Sequence, residues 1–171
     1  TRSLTTFIDD HTEEEIVVMY RQYDGYPSGH GRDLINFLNK MKFDNQLTYG
    51  ISCLSAQVIS HFKKRAGDFY LHTADTRDYG EEFVYIIYSK NNELKVKIED
   101  VYNDKVMFDG NIKEMDKWIG KIEDVYDNNT GFDNIESQMK HGNIKIVANE
   151  AKIGEKMLNS LIRQKEDGFT D

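Results

Sequence analysis

Apolar and polar positions change rhythm several times along the chain. Residues 3–8 alternate weakly and include two threonines and a phenylalanine. Residues 9–14 are polar and turn-like, and Ile16, Val17, Val18 and Met19 then form an apolar, largely β-branched run. Two strands with a short polar connection predict a β-hairpin. Leu34, Ile35, Phe37, Leu38 and Met41 recur at helical spacing, which predicts a helix from about Arg32 to Lys42. Ile51, Leu54, Val58, Ile59 and Phe62 predict a second, from about Ile51 to Arg65. Lys63, Lys64 and Arg65 suit its negative end, and Gly67 is its stop.

Strand-like segments follow at Phe69–Leu71, Phe83–Ser89, Leu94–Ile98 and Val106–Phe108, separated by a polar link at 75–80 and turns at Asn91-Asn92 and Asp109-Gly110. Leu94, Val96 and Ile98 alternate with Lys95, Lys97 and Glu99, as in a strand with one wet face. This succession predicts an antiparallel meander. From Ile112 the spacing of Met115, Trp118, Ile119 and Ile122 is helical again. Asp127–Gly131 is a loop signal, Phe132–Lys140 a short helix, Ile144–Val147 a brief strand and Ala151–Glu166 a terminal helix. The expected fold is α+β: an antiparallel sheet of about five to six strands, two helices after the first hairpin, and a helical C-terminal extension. Residues 1–112 form the expected core domain. Residues 113–171 form the extension, packed on the core or on a partner subunit in a homo-oligomer.

Composition narrows the function classes. The 171 residues hold 22 Lys and Arg against 30 Asp and Glu, for a net charge of −8. That disfavours sequence-independent binding to a nucleic-acid backbone. Nineteen Tyr and Phe, with Trp118, argue against disorder. One cysteine, Cys53, excludes an intrachain disulfide and reads as a buried structural thiol on a helix. No run approaches the roughly 18 apolar residues of a membrane span, and no leader pattern opens the chain, so a cytoplasmic protein is expected. Five scattered histidines and one cysteine give no metal motif, and no cofactor is expected.

The most informative stretch is YRQYDGYPSGHGRDL, residues 20–34. It passes from strand to helix through Gly25, Gly29, Gly31 and the chain's only proline, Pro27. A glycine loop feeding a helix start offers unpaired N–H groups to an anion. Arg21, His30 and Arg32 add donors. Tyr20, Tyr23 and Tyr26 add flat faces with hydroxyls. The candidate ligand-binding set is Arg21, Tyr23, Asp24, Gly25, Tyr26, Ser28, Gly29, His30, Gly31 and Arg32. The pattern is neither a Walker A loop nor a Rossmann fingerprint, and a stiff turn with aromatics covering the core edge explains it equally well. No catalytic constellation is identified. His30 reads as a structural or ligand-contacting residue before it reads as an acid or base, and Asp24 as a turn-former.

The TRSLT start, the block MYRQYDGYPSGHG, the segment CLSAQVISHFKK and the run GDFYLHTADTRDYGEEFVYIIY together resemble a family of uncharacterised bacterial and phage proteins. The resemblance covers about residues 2–90. It implies a compact α+β unit, cytoplasmic and often carried on mobile elements, and transfers no catalytic residue. Relatives often carry glycine or alanine where this chain has Ser52, Cys53, Leu54 and Ser55. The expected function is a non-catalytic module for a small anionic, nucleotide-like ligand; in a phage it would sequester a host signalling nucleotide as counter-defence, in the host cytoplasm. The alternative is an acidic inhibitor of a host nuclease or defence protein, and a weaker one a phosphodiesterase using His30.

Overall fold

The computed structural model describes residues 1–128. The expected short helix at 132–140, strand at 144–147 and terminal helix at 151–166 lie outside the described residues. In chain order the elements are β1 (Ser3–Ile8), β2 (Glu15–Arg21), a π-helical turn (Pro27–Gly31), α1 (Arg32–Phe43), α2 (Gly50–Phe62), β3 (Phe69–His72), β4 (Phe83–Lys90), β5 (Glu93–Asp100), β6 (Lys105–Asn111) and α3 (Ile112–Asn128). The fold is α+β.

Six strands form one sheet in the order β3-β2-β1-β4-β5-β6. The expected hairpin and meander are both present, and every adjacency is antiparallel except β1 beside β4. That parallel pair forces the chain between β3 and β4 to cross β2 and β1. Residues 73–82 make the crossing on the face away from the helices. Arg77 ties them to Glu15 of β2 at 2.8 Å, and Glu81 takes the Asp78 and Tyr79 amides at 3.1 and 2.6 Å. This strap covers Leu4, Val18 and Val84, a small apolar cluster with Tyr20 and Ile86 at its border.

Strand side chains alternate between faces, so Phe7, Met19, Phe83, Tyr85, Ile87, Val96 and Ile98 point the other way. There they meet Leu34, Ile35, Phe37 and Leu38 of α1, Ile51, Leu54, Val58 and Phe62 of α2, and Met115, Ile119 and Ile122 of α3. Helix α3 therefore completes the main core. It starts at a reciprocal cap, in which Asn111 Oδ1 accepts from the Glu114 amide and Glu114 Oε1 from the Asn111 amide. It runs through Asn128, so the expected loop at 127–131 begins as helix. The Asn91-Asn92 turn has positive φ at both residues (54° and 61°), the geometry whose twist matches a hairpin.

Cys53 corrects an expectation: it is exposed. The buried stripe of α2 belongs to Ile51, Leu54, Val58 and Phe62, and Cys53 falls beside that stripe. At the β3 edge, Lys63 Nζ donates to the carbonyls of Gly67 and Phe69 at 2.8 Å each. A lysine closing an exposed strand edge is a common guard against unwanted strand pairing.

Candidate functional site

The glycine segment is a helical corner. Gly31 has helical dihedrals (φ −60°, ψ −44°), so α1 continues backward into the π-helical turn. The Gly31 amide bonds the Tyr26 carbonyl at 3.5 Å, and the Arg32 amide those of Gly29 and Pro27. Gly25 N–H donates to Thr1 O at 2.9 Å, Gly29 N–H to Tyr26 O at 2.9 Å and His30 N–H to Asp24 O at 2.8 Å. Pro27 has no N–H to offer. The amides of Gly25, Gly29, His30, Gly31 and Arg32 are thus consumed inside the corner.

Close packing explains two of the glycines. A Cβ on Gly25 would lie 2.7 Å from Ser3 Cβ and 2.8 Å from the Arg2 backbone. On Gly29 it would lie 2.6 Å from the Asp24 carbonyl oxygen. Asp24 turns the chain with φ 58°, a conformation that aspartate tolerates better than most residues. Tyr26 and Gly31 are buried, Tyr23 is exposed, and Ser28 Oγ is enclosed with no hydrogen-bond partner among the described residues.

Both arginines are also committed. Arg21 Nε donates to the Tyr23 carbonyl at 2.6 Å, and its Nη1 reaches His30 Nδ1 at 3.0 Å and Asp33 Oδ2 at 3.1 Å. Its guanidinium lies 5.2 Å from the Phe69 ring centre and 5.9 Å from that of Phe62. Arg32 clamps α3. Its Nη2 and Nε grip Glu123 at 2.5 and 3.1 Å, and its Nη1 reaches Asp116 Oδ1 at 2.8 Å and Asn36 Oδ1 at 3.3 Å. The bonds to Glu123 and Asp116 hold its pKa above the ordinary guanidinium range.

His30 is fully buried, with 0% exposure. A guanidinium can only donate, so His30 Nδ1 is the acceptor toward Arg21. Its proton sits on Nε2, which donates to Thr5 Oγ1 at 2.7 Å. Burial, reinforced by the Arg21 charge, pushes its pKa well below the usual histidine value. Tyr85 packs its ring 4.7 Å from the imidazole and donates its hydroxyl to Gly25 O at 2.8 Å. Burial pushes that phenol well above its usual range. Neither ring nitrogen of His30 is left for a substrate, so the phosphodiesterase role finds no support at this residue.

Cations without a partner among the described residues collect elsewhere. An open groove of about 410 Å³ between α1 and α3 is lined by Asn39, Lys42, Lys113, Asp116 and Lys117. The lysines are exposed, and none of their ammonium groups has a hydrogen bond or ion pair among the described residues. Asp116, by contrast, is held on both oxygens, by Arg32 and by Asn39 Nδ2 at 3.1 Å. Sequence reading missed this site. Its only trace was Lys113 and Lys117 four apart on a helical pattern, which looks like any solvated face. The Arg32 bonds that arm the groove span 84 and 91 residues.

Aromatic surface lies on the opposite side of the sheet. The Tyr20 ring centre is 6.0 Å from Tyr70, 6.1 Å from Tyr79 and 6.2 Å from His72, and His72 and Tyr79 are 4.1 Å apart. The tyrosine cluster and the lysines of the groove therefore do not converge. Among the described residues no cluster of His, Cys, Asp or Glu could hold a metal ion, and no helix is long and apolar enough to cross a membrane. Comparison with protein-family models, with curated proteins and with solved structures gives no match.

Proposed function

We propose that the chain is a non-catalytic binding module for a small anionic ligand, held in the groove between α1 and α3. The observation that carries this reading is the set of three exposed ammonium groups, Lys42, Lys113 and Lys117, around one concavity, none with a partner among the described residues. Like charges four apart on a helix cost a few tenths of a kcal/mol. In a chain of net charge −8, carboxylates to relieve them are plentiful, yet the groove's own carboxylate is engaged by Arg32 and Asn39. An anion that relieves this repulsion stabilises the folded chain by mass action. Sequestering a ligand requires no reacting group, which suits a site lined by lysines, an asparagine and a neutralised aspartate.

The test is a thermal-shift series with phosphate, sulfate, dicarboxylates and nucleotides at fixed ionic strength. Phosphate-bearing compounds should raise the melting temperature, and Lys113→Gln with Lys117→Gln should remove the rise while leaving the ligand-free transition intact. No rise at large excess, at low salt, defeats the proposal.

A second reading, an acidic protein-interaction factor, draws on the tyrosine cluster around Tyr20. Exposed tyrosines supply contact area at low entropic cost and are common in protein-recognition surfaces. Tyr70→Ala with Tyr79→Ala would weaken capture of a host partner under that reading and leave anion binding unchanged.

A further inference from the structure

We infer, resting on the anion-binding reading above, that the groove recognises two adjacent phosphate groups, as in pyrophosphate or the diphosphate of a small organic phosphate, and does not recognise a base. Lys113 and Lys117 stand one helical turn apart, about 6 Å along the axis of α3, and Lys42 comes from α1. The cations thus stand on two walls and are spread along one of them. A single phosphate group carries about −1.5 to −2 charges; a diphosphate carries more and spans more of that distance. The groove's volume lies in the range of sites that enclose small organic ligands.

Discrimination rests on charge alone. All five lining side chains are polar, and the tyrosine cluster around Tyr20 lies across the sheet. The nucleotide-like ligand suggested by the sequence is therefore recognised through its phosphate chain.

Arg32 keeps the groove cationic without touching a ligand. Asp116 lies three residues after Lys113, a spacing at which opposite charges pair on a helix. It does not pair, because Arg32 Nη1 holds Oδ1 and Asn39 Nδ2 holds Oδ2. Arg32 is a positioning residue. Without it, Asp116 turns to the lysines and cancels part of their charge.

Calorimetric titration of the full chain at low salt, with pyrophosphate, orthophosphate, a nucleoside diphosphate and a nucleoside monophosphate, tests the inference. The two diphosphates should bind within about threefold of each other and roughly tenfold or more tighter than the two monophosphates. Lys113→Gln with Lys117→Gln, both exposed, should abolish the difference. Arg32→Gln should weaken pyrophosphate binding, and adding Asp116→Asn to it should restore it. Equal affinity for mono- and diphosphates overturns the diphosphate inference and leaves the anion reading standing. A nucleoside diphosphate binding far tighter than pyrophosphate overturns it too, since a base grip would then exist. Silence in every arm removes the anion reading itself. Failure of Asp116→Asn to rescue a folded Arg32→Gln protein overturns the positioning role.

Discussion

Acidification should weaken the fold through His30. In the native chain the imidazole is neutral by construction: Nδ1 accepts from a guanidinium that can only donate, and Nε2–H is given to Thr5 Oγ1. Protonation would set two cations 3.0 Å apart beside the rings of Phe62 and Tyr85. Asp33 is paired with Arg21. The folded pKa is therefore well below the ordinary value, whereas the unfolded chain takes its proton near pH 6.5. The unfolded state then binds more protons, so stability rises with pH. The contribution is complete above the unfolded pKa and is lost as pH falls from there toward the folded pKa. One proton gives a slope approaching about 1.4 kcal/mol per pH unit, and a loss of up to about 2 kcal/mol between pH 8 and pH 5. Urea unfolding across that range measures it, with two-state behaviour checked by two probes. His61, whose pKa burial and Lys64 also lower, contributes in the same direction. The diagnostic quantity is therefore the difference between the native chain and His30→Gln, whose amide can donate to Thr5 and accept from Arg21 without titrating. Parallel pH profiles for the two proteins would refute the buried neutral imidazole.

Gly25→Ala should lower stability by about 1–3 kcal/mol in urea unfolding, because its Cβ meets Ser3 Cβ and backbone that cannot retreat. Arg32→Met leaves Glu123 and Asp116 without their clamp and should cost about 1–2 kcal/mol, a value discounted for partial exposure. Its signature is faster amide exchange in α3 than in β4. Burial opposes ionisation of Glu15, yet the Arg77 guanidinium and the Asp75 amide win and hold its pKa below the usual carboxylate range. Its contribution is present above the unfolded pKa of about 4.3 and disappears as pH falls below it. Glu15→Gln should loosen the 73–82 strap, seen as proteolytic cleavage there at neutral pH.

Local patterns carried most of the architecture. Alternation at Leu94–Ile98 and helical spacing at Leu34–Met41 each depend on neighbours a few residues away, and both elements stand where those patterns put them. The placement of β1 between β2 and β4 depends on a crossing whose residues, Thr73 to Glu82, show no helical period and read as a polar link. What holds that link to the sheet is a pair between Glu15 and Arg77, 62 positions apart. Cys53 went astray for a related reason: an apolar helix pattern tells which stripe is buried, and a small residue next to it can fall on either side.

The glycine corner shows how a motif can mark packing where it suggests binding. An anion cradle needs amides at a helix start with no carbonyl behind them. Had Gly31 left helical geometry, the amides of Arg32 and Asp33 would have lost their upstream partners. Instead the Tyr26, Pro27 and Gly29 carbonyls stand behind Gly31 and Arg32. Glycine serves there by letting the corner press against β1, with Gly25 over Ser3 and Tyr85 bonded to its carbonyl. The same compaction aims the Arg32 side chain at Asp116 and Glu123 of α3. The residue nominated as a ligand donor thus shapes the charge of a groove built by lysines that no motif marked. Substituting Arg32 should change anion affinity through Asp116, and substituting Gly25 should change stability.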